Sequence, residues 1–195
     1  MRTRWIVVLA AGLAACASGG DARVGAPGAL SRRGEAALAE GRADEAKALF
    51  LQAAASEDPP FWAWIGLGRV ATTVGDDALF DRSVAEAMRL APADSPAASD
   101  ALGKTFLAAA RRLRPPDRRQ AALALSYFQR VAKQAPETPA LRYHTGLAAW
   151  AAGDEELALA ALEADRLRRP DDGATLRALL DLYRSRGDRR SVART

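Results

Sequence analysis

Few side chains in this sequence are equipped for chemistry. The single cysteine, Cys16, ends an apolar run and is the sequence's one thiol, a nucleophile when ionised. The single histidine, His144, sits beside Tyr143 with no second histidine or cysteine near it, which leaves no zinc ligand set. Such a histidine is read either as structural or exposed, or as catalytic, and nothing beside it supports the second reading. Adjacent acids at Asp76-Asp77, Glu155-Glu156 and Asp171-Asp172 open helices or their linkers, so they read as caps and dipole partners, not as a general acid and base. Neither a glycine-rich phosphate loop nor a Gly-x-Ser-x-Gly elbow occurs. These residues predict no enzyme, no catalytic residue, no metal and no cofactor, and no small-molecule substrate is evident.

The elements that carry these residues are expected to be helical. Alanine and arginine are abundant, aromatics make up 6% of the 195 residues, and no run of β-branched residues appears. One cysteine excludes an internal disulfide. The net charge is +4, but Arg2 and Arg4 belong to the leader; without them 26 of the 28 basic residues face 24 acidic ones, a net of +2. That balance gives no case for nucleic acid, which needs a clustered basic face.

The chain opens Met1-Arg2-Thr3-Arg4 and then runs apolar from Trp5 to Ala15. A short basic segment before a short apolar one is a secretory signal, and the run is too short for a stable span, which takes about 20 residues. Its end, Leu13-Ala14-Ala15-Cys16, resembles the lipobox of bacterial lipoproteins: a branched apolar residue, two small ones, then the cysteine that becomes the mature N-terminus. The alternatives are a plain signal peptide or an uncleaved anchor. By resemblance, Cys16 carries a diacylglyceryl group and an acylated amine (palmitate among the acyl chains), and several chains together anchor firmly. Ala17 follows, not an aspartate, which for that family implies the outer membrane, facing the periplasm. In a bacterium with one membrane the anchor is the outer face of the cytoplasmic membrane. Residues 16–28, rich in glycine, read as a flexible tether after the signal of residues 1–15, and residues 29–195 as the folded domain.

A period of 34 runs through that domain. Gly75 follows Gly41 by 34 residues, Pro170 follows Pro136 by 34, and Gly187 follows Gly153 by 34. Trp64, Leu67, Gly68, Ala71, Ala87 and Pro92 form the best-defined unit, with Gly34, Gly103 and Gly146 at the corresponding place in the others. Phe80 stands where a small alanine is usual, a departure that bears on how its two helices pack. Pro92 to Pro136 spans 44 residues, so the third unit carries about ten extra, including Arg111-Arg112-Leu113-Arg114-Pro115-Pro116-Asp117-Arg118-Arg119. The paired prolines are expected to break the helix there.

This pattern resembles the tetratricopeptide repeat (TPR): W-x2-L-G-x2-Y, then A-x3-F, then P, over about 34 residues. The resemblance covers nearly all of residues 27 to 190. It implies an all-α, right-handed superhelical solenoid of stacked helical hairpins, about four repeats plus a C-terminal capping helix. Each hairpin has an apolar face that it cannot bury alone, and stacking joins these faces into one core.

By the same resemblance the first helices line a concave groove. The candidates on that face are Trp62, Arg69, Lys104, Tyr143, Trp150, Arg177 and Arg184, of the aromatic and cationic types that dominate interfaces. Cations there suit an extended peptide with acidic side chains or a free carboxylate. Each is otherwise solvated surface or a contact between helices. The insertion, with five arginines and one aspartate, is either a solvated loop or a contact for acidic partners or lipid phosphates. The expectation is a membrane-anchored scaffold that binds another protein or an extended peptide segment, assisting assembly of an envelope machine such as a pilus or secretion pore. The alternative is an adaptor that regulates cell-wall hydrolases or envelope proteolysis.

Overall fold

A computed structural model of the chain describes residues 26–193. The leader and Cys16 lie outside the described residues. The helices are α1 (Pro27–Ala39), α2 (Ala43–Ala54), α3 (Phe61–Val74), α4 (Asp77–Leu90), α5 (Pro96–Arg112), α6 (Arg118–Gln134), α7 (Leu141–Ala152), α8 (Glu155–Arg168), α9 (Gly173–Ser185) and the short α10 (Arg189–Val192), with no strand among the described residues. This is the all-α repeat solenoid expected from the 34-residue period. Because α1 opens at Pro27, the last two residues of the expected tether are helical.

The helix boundaries follow from local chemistry. Asp76, Asp154 and Asp172 each cap a helix by accepting backbone N–H bonds, from Leu79 at 2.9 Å, Leu157 at 3.0 Å and Ala174 at 2.9 Å. Gly75 and Gly153 end α3 and α7 in the left-handed conformation that a side chain resists, at φ of 79° and 94°. The insertion differs from the rest: α5 and α6 are each 17 residues long. The extra residues therefore lengthen both helices, and the break is confined to Leu113–Asp117, where Asp117 caps α6.

Four hairpins, α1–α2, α3–α4, α5–α6 and α7–α8, stack in chain order. Each first helix touches the next first helix, from α1 through α3, α5 and α7 to α9, whereas no second helix touches the next second helix. The stack therefore curves, with α1, α3, α5, α7 and α9 on its inner face. Successive units are otherwise joined by a second helix packing on the following first helix; this seam is thinnest between α4 and α5. There Phe80 meets Phe106 edge-on at 6.0 Å, and Phe106 stacks on Tyr127 at 5.8 Å. The bulk at Phe80 thus packs toward the next unit.

Close approach within a hairpin depends on glycine. Phe50, fully buried, lies against Gly34; a Cβ there would come within 2.8 Å of its ring. The same ring covers Gly66 of α3 more closely still. Phe128 repeats the arrangement over Gly103 at 2.8 Å, and Leu162 over Gly146 at 2.6 Å.

The end of the stack is tied by polar groups. Asp165 of α8, 4% exposed, accepts a 2.6 Å hydrogen bond from the Thr175 hydroxyl of α9 and is also paired with Arg169. Arg169 also pairs with Asp172, the cap of α9. Tyr183 donates to Glu163, and burial together with that bond pushes its phenol up to about 12. Helix α9 thus packs on α8 and α7, with the single turn of α10 against it.

Candidate functional site: the concave groove

The inner face holds an open groove of about 1000 Å³. Ile65, Leu107 and Leu147 supply apolar floor from α3, α5 and α7. Trp62 lies at the rim, 48% exposed and edge-on to Phe61 at 4.9 Å. An aromatic ring left half in water beside an apolar floor is the usual anchor of an interface.

The repeat register decides which side chains face the groove. The residue after each repeat glycine does so: Glu35, Arg69, Lys104 and Leu147. So does the residue three before it: Ser31, Ile65, Asp100 and Tyr143. The register sets opposite charges side by side, between neighbouring helices in one case and within α5 in the other. Arg69 pairs with Glu35, and Lys104 pairs with Asp100 at 2.7 Å. The middle of the groove is close to neutral.

His144 also lines the groove. Its ring stacks on Phe128 at 5.7 Å and meets Tyr143 edge-on at 5.4 Å. Burial first, then Lys104, holds its pKa below the ordinary value, with Asp100 and the Ala140 carbonyl offsetting part of the effect. Its Nδ1 is buried without a hydrogen-bond partner. Among the described residues no cluster of histidine, cysteine or carboxylates is placed to hold a metal, and no helix is long and apolar enough to cross a membrane.

Of the seven residues expected on the groove, Trp62, Arg69, Lys104 and Tyr143 line it together. Trp150 lines an adjoining recess of about 610 Å³ formed by α7, the insertion and α9. Arg177 and Arg184 lie on α9 and line neither space; Arg184 lies 3.8 Å from Asp181. Sequence reasoning missed Glu35 and Asp100, which match Arg69 and Lys104, as well as Arg32 on α1 and Arg111, which lines groove and recess alike. The signal for Glu35 was present, since it holds the register position of Arg69 one repeat earlier.

The architecture is thus that of a helical-repeat solenoid with a concave face. It is similar to solved structures of TPR proteins. TTC0263, a thermophilic TPR protein of Thermus thermophilus, matches with a TM-score of 0.64 at 23% identity over 84% of each chain. MamA of MSR-1 matches with a TM-score of 0.62 at 19% identity, covering 85% of this chain and 90% of that one. MamA of AMB-1 matches with a TM-score of 0.59 at 20% identity, covering 84% and 91%. No family model matches the chain, and no curated protein does.

Proposed function

We propose that the chain is a non-enzymatic scaffold whose concave groove holds an extended segment of a partner protein. One observation carries this: an open groove of about 1000 Å³ in which the exposed ring of Trp62 stands beside an apolar floor. A convergent nucleophile, base and oxyanion donor would be required for catalysis, and the groove offers His144 without an acid bonded to its buried Nδ1. Lipidation at Cys16 would hold the scaffold at a membrane, at the outer membrane facing the periplasm in a diderm bacterium. Assembly of an envelope machine such as a pilus or secretion pore is the role that suits such a placement.

The test is capture from detergent-solubilised envelope by the full chain, beside a variant with Trp62, Lys104 and Tyr143 changed to alanine. A pilus or pore subunit retained by the native chain and lost from the variant is the expected result. A wall hydrolase or protease in its place would favour the regulatory adaptor. Equal capture by both proteins would remove the groove from the account. Radiolabelled palmitate incorporated by the native chain but not by Cys16→Ala tests the anchor.

A further inference from the structure

The five arginines of the insertion do not act as one patch. Arg112 turns back to pair with Asp77 at the start of α4. Arg119 lies in the first turn of α6 and lines neither the groove nor the recess. Arg111, Arg114 and Arg118 line the recess beside Trp150, and the Arg118 guanidinium lies over Gly153 at the α7–α8 turn, about 3.5 Å from where a Cβ would stand. Among the described residues, none of these three is in an ion pair. Glu155 and Asp181 line the same recess, and Asp181 is already shared with Arg184.

In the middle of the main groove, by contrast, Arg69 and Lys104 are already matched by Glu35 and Asp100, and Arg32 stands apart on α1. The two spaces are continuous, since Arg111 and Leu147 line both. A strand lying along the inner face therefore passes Arg32 on α1, then a middle stretch of matched charges over an apolar floor, and then the three guanidinium groups of the recess. Guanidinium groups of this kind match carboxylates with paired N–H donors.

We propose that the recess seats the acidic end of the partner's extended segment, with carboxylates on Arg111, Arg114 and Arg118 and an apolar neighbour against Trp150, while the stretch over the matched middle of the main groove is uncharged. This rests on the scaffold reading above and adds the chemistry and direction of the bound segment. The recess is walled by the insertion, α7 and α9, a shape that admits a chain end and not a flat bilayer. Glu155 and Asp181 limit the acids to a short run, because a long polyacid would be repelled by them.

The experiment uses the full chain and a set of dye-labelled peptides read by fluorescence anisotropy. Each peptide has an alanine–leucine body and a terminal run of glutamates beside one tryptophan; the number of glutamates and the end that carries them are varied. Affinity should rise with a short glutamate run at one terminus, and be lower with the run at the other. Arg111→Gln, Arg114→Gln and Arg118→Gln together should weaken it roughly ten-fold or more. Arg112→Gln with Arg119→Gln should change it by less than about two-fold. Equal binding by the triple variant, or no dependence on glutamate, overturns the proposal. If the peptides still respond to the Trp62, Lys104 and Tyr143 variant, the scaffold reading survives that failure. Phosphatidylglycerol vesicles form the last arm: binding to them through the three arginines, without peptide binding, would assign the recess to lipid and overturn the proposal.

Discussion

Arg69 of α3 pairs with Glu35 of α1, the residue at its own register position one repeat earlier. A cation on the binding face is thus neutralised by the fold before any partner arrives. Both side chains are more than two-fifths exposed, so the pair contributes little to stability. Arg69→Ala should change the free energy of unfolding by less than about 1 kcal/mol. It should leave Glu35 as a bare carboxylate facing the uncharged stretch of the bound segment, and so weaken binding. Urea denaturation with parallel binding measurements separates the two effects; a large loss of stability would show the pair to be structural.

Phe50 gives a sharper packing test. Its ring fills the space over Gly34 and Gly66 together, so either glycine to alanine forces the ring or a helix to move. Gly66→Ala should destabilise the chain by about 1–3 kcal/mol, and by more than Gly34→Ala. Adding Phe50→Leu to Gly66→Ala should recover part of the loss if the clash is the cause. A double-mutant cycle in denaturant measures this coupling directly.

Asp165 predicts how the last helix is held. Its buried carboxylate serves Thr175 and Arg169 at once. Asp165→Ala should cost about 2 kcal/mol, as loss of hydrogen bonds to a charged group does, and Thr175→Val about 1 kcal/mol. The loss should appear first as faster amide exchange in α9, because Asp165 ties that helix to α8 through Thr175 and through Arg169, which also pairs with its cap Asp172. Uniform exchange along the whole chain would contradict this.

His144 sets a pH dependence whose sign is determined by its burial. Its folded pKa lies below the ordinary 6.5, so below that pH the unfolded chain takes up a proton that the folded chain resists. The contribution to stability is complete above the unfolded pKa and is lost as pH falls from there toward the folded value. Between about pH 7.5 and about pH 5, the native chain should therefore lose more stability than His144→Gln. Parallel curves for the two proteins would show that His144 does not titrate in that window.

Ala140, just before α7, adopts a left-handed φ of 57°. A side chain resists this conformation and glycine does not. Ala140→Gly should raise stability by about 0.5 kcal/mol, which thermal unfolding can resolve.

These residues also show what sequence reading reaches. The period of 34, the glycine beside each large second-helix side chain and the aspartate caps are local or regular, so they could be read directly. Phe80 required the structure, because its partner Phe106 belongs to the next unit. The paired prolines fall at the helix break, but the extra residues lengthen α5 and α6, and the arginines around the break divide according to the direction each leaves the helix. That direction changes with every residue along a turn, and spacing alone does not say which neighbour lies there. The pairing of Lys104 with Asp100 was legible as an i,i+4 contact; that of Arg69 with Glu35 needed the repeats to be superposed first.

The thin seam between α4 and α5 has a mechanical consequence. Bending the stack there parts the Phe80–Phe106 contact and the Arg112–Asp77 pair on the outer side, while α3 and α5 remain packed on the inner side as the axis. Every other outer joint must part a larger packed surface. The chain is therefore most compliant at its midpoint, where rotation would change the spacing between Trp62 and Tyr143, and so the span that the inner face can grip.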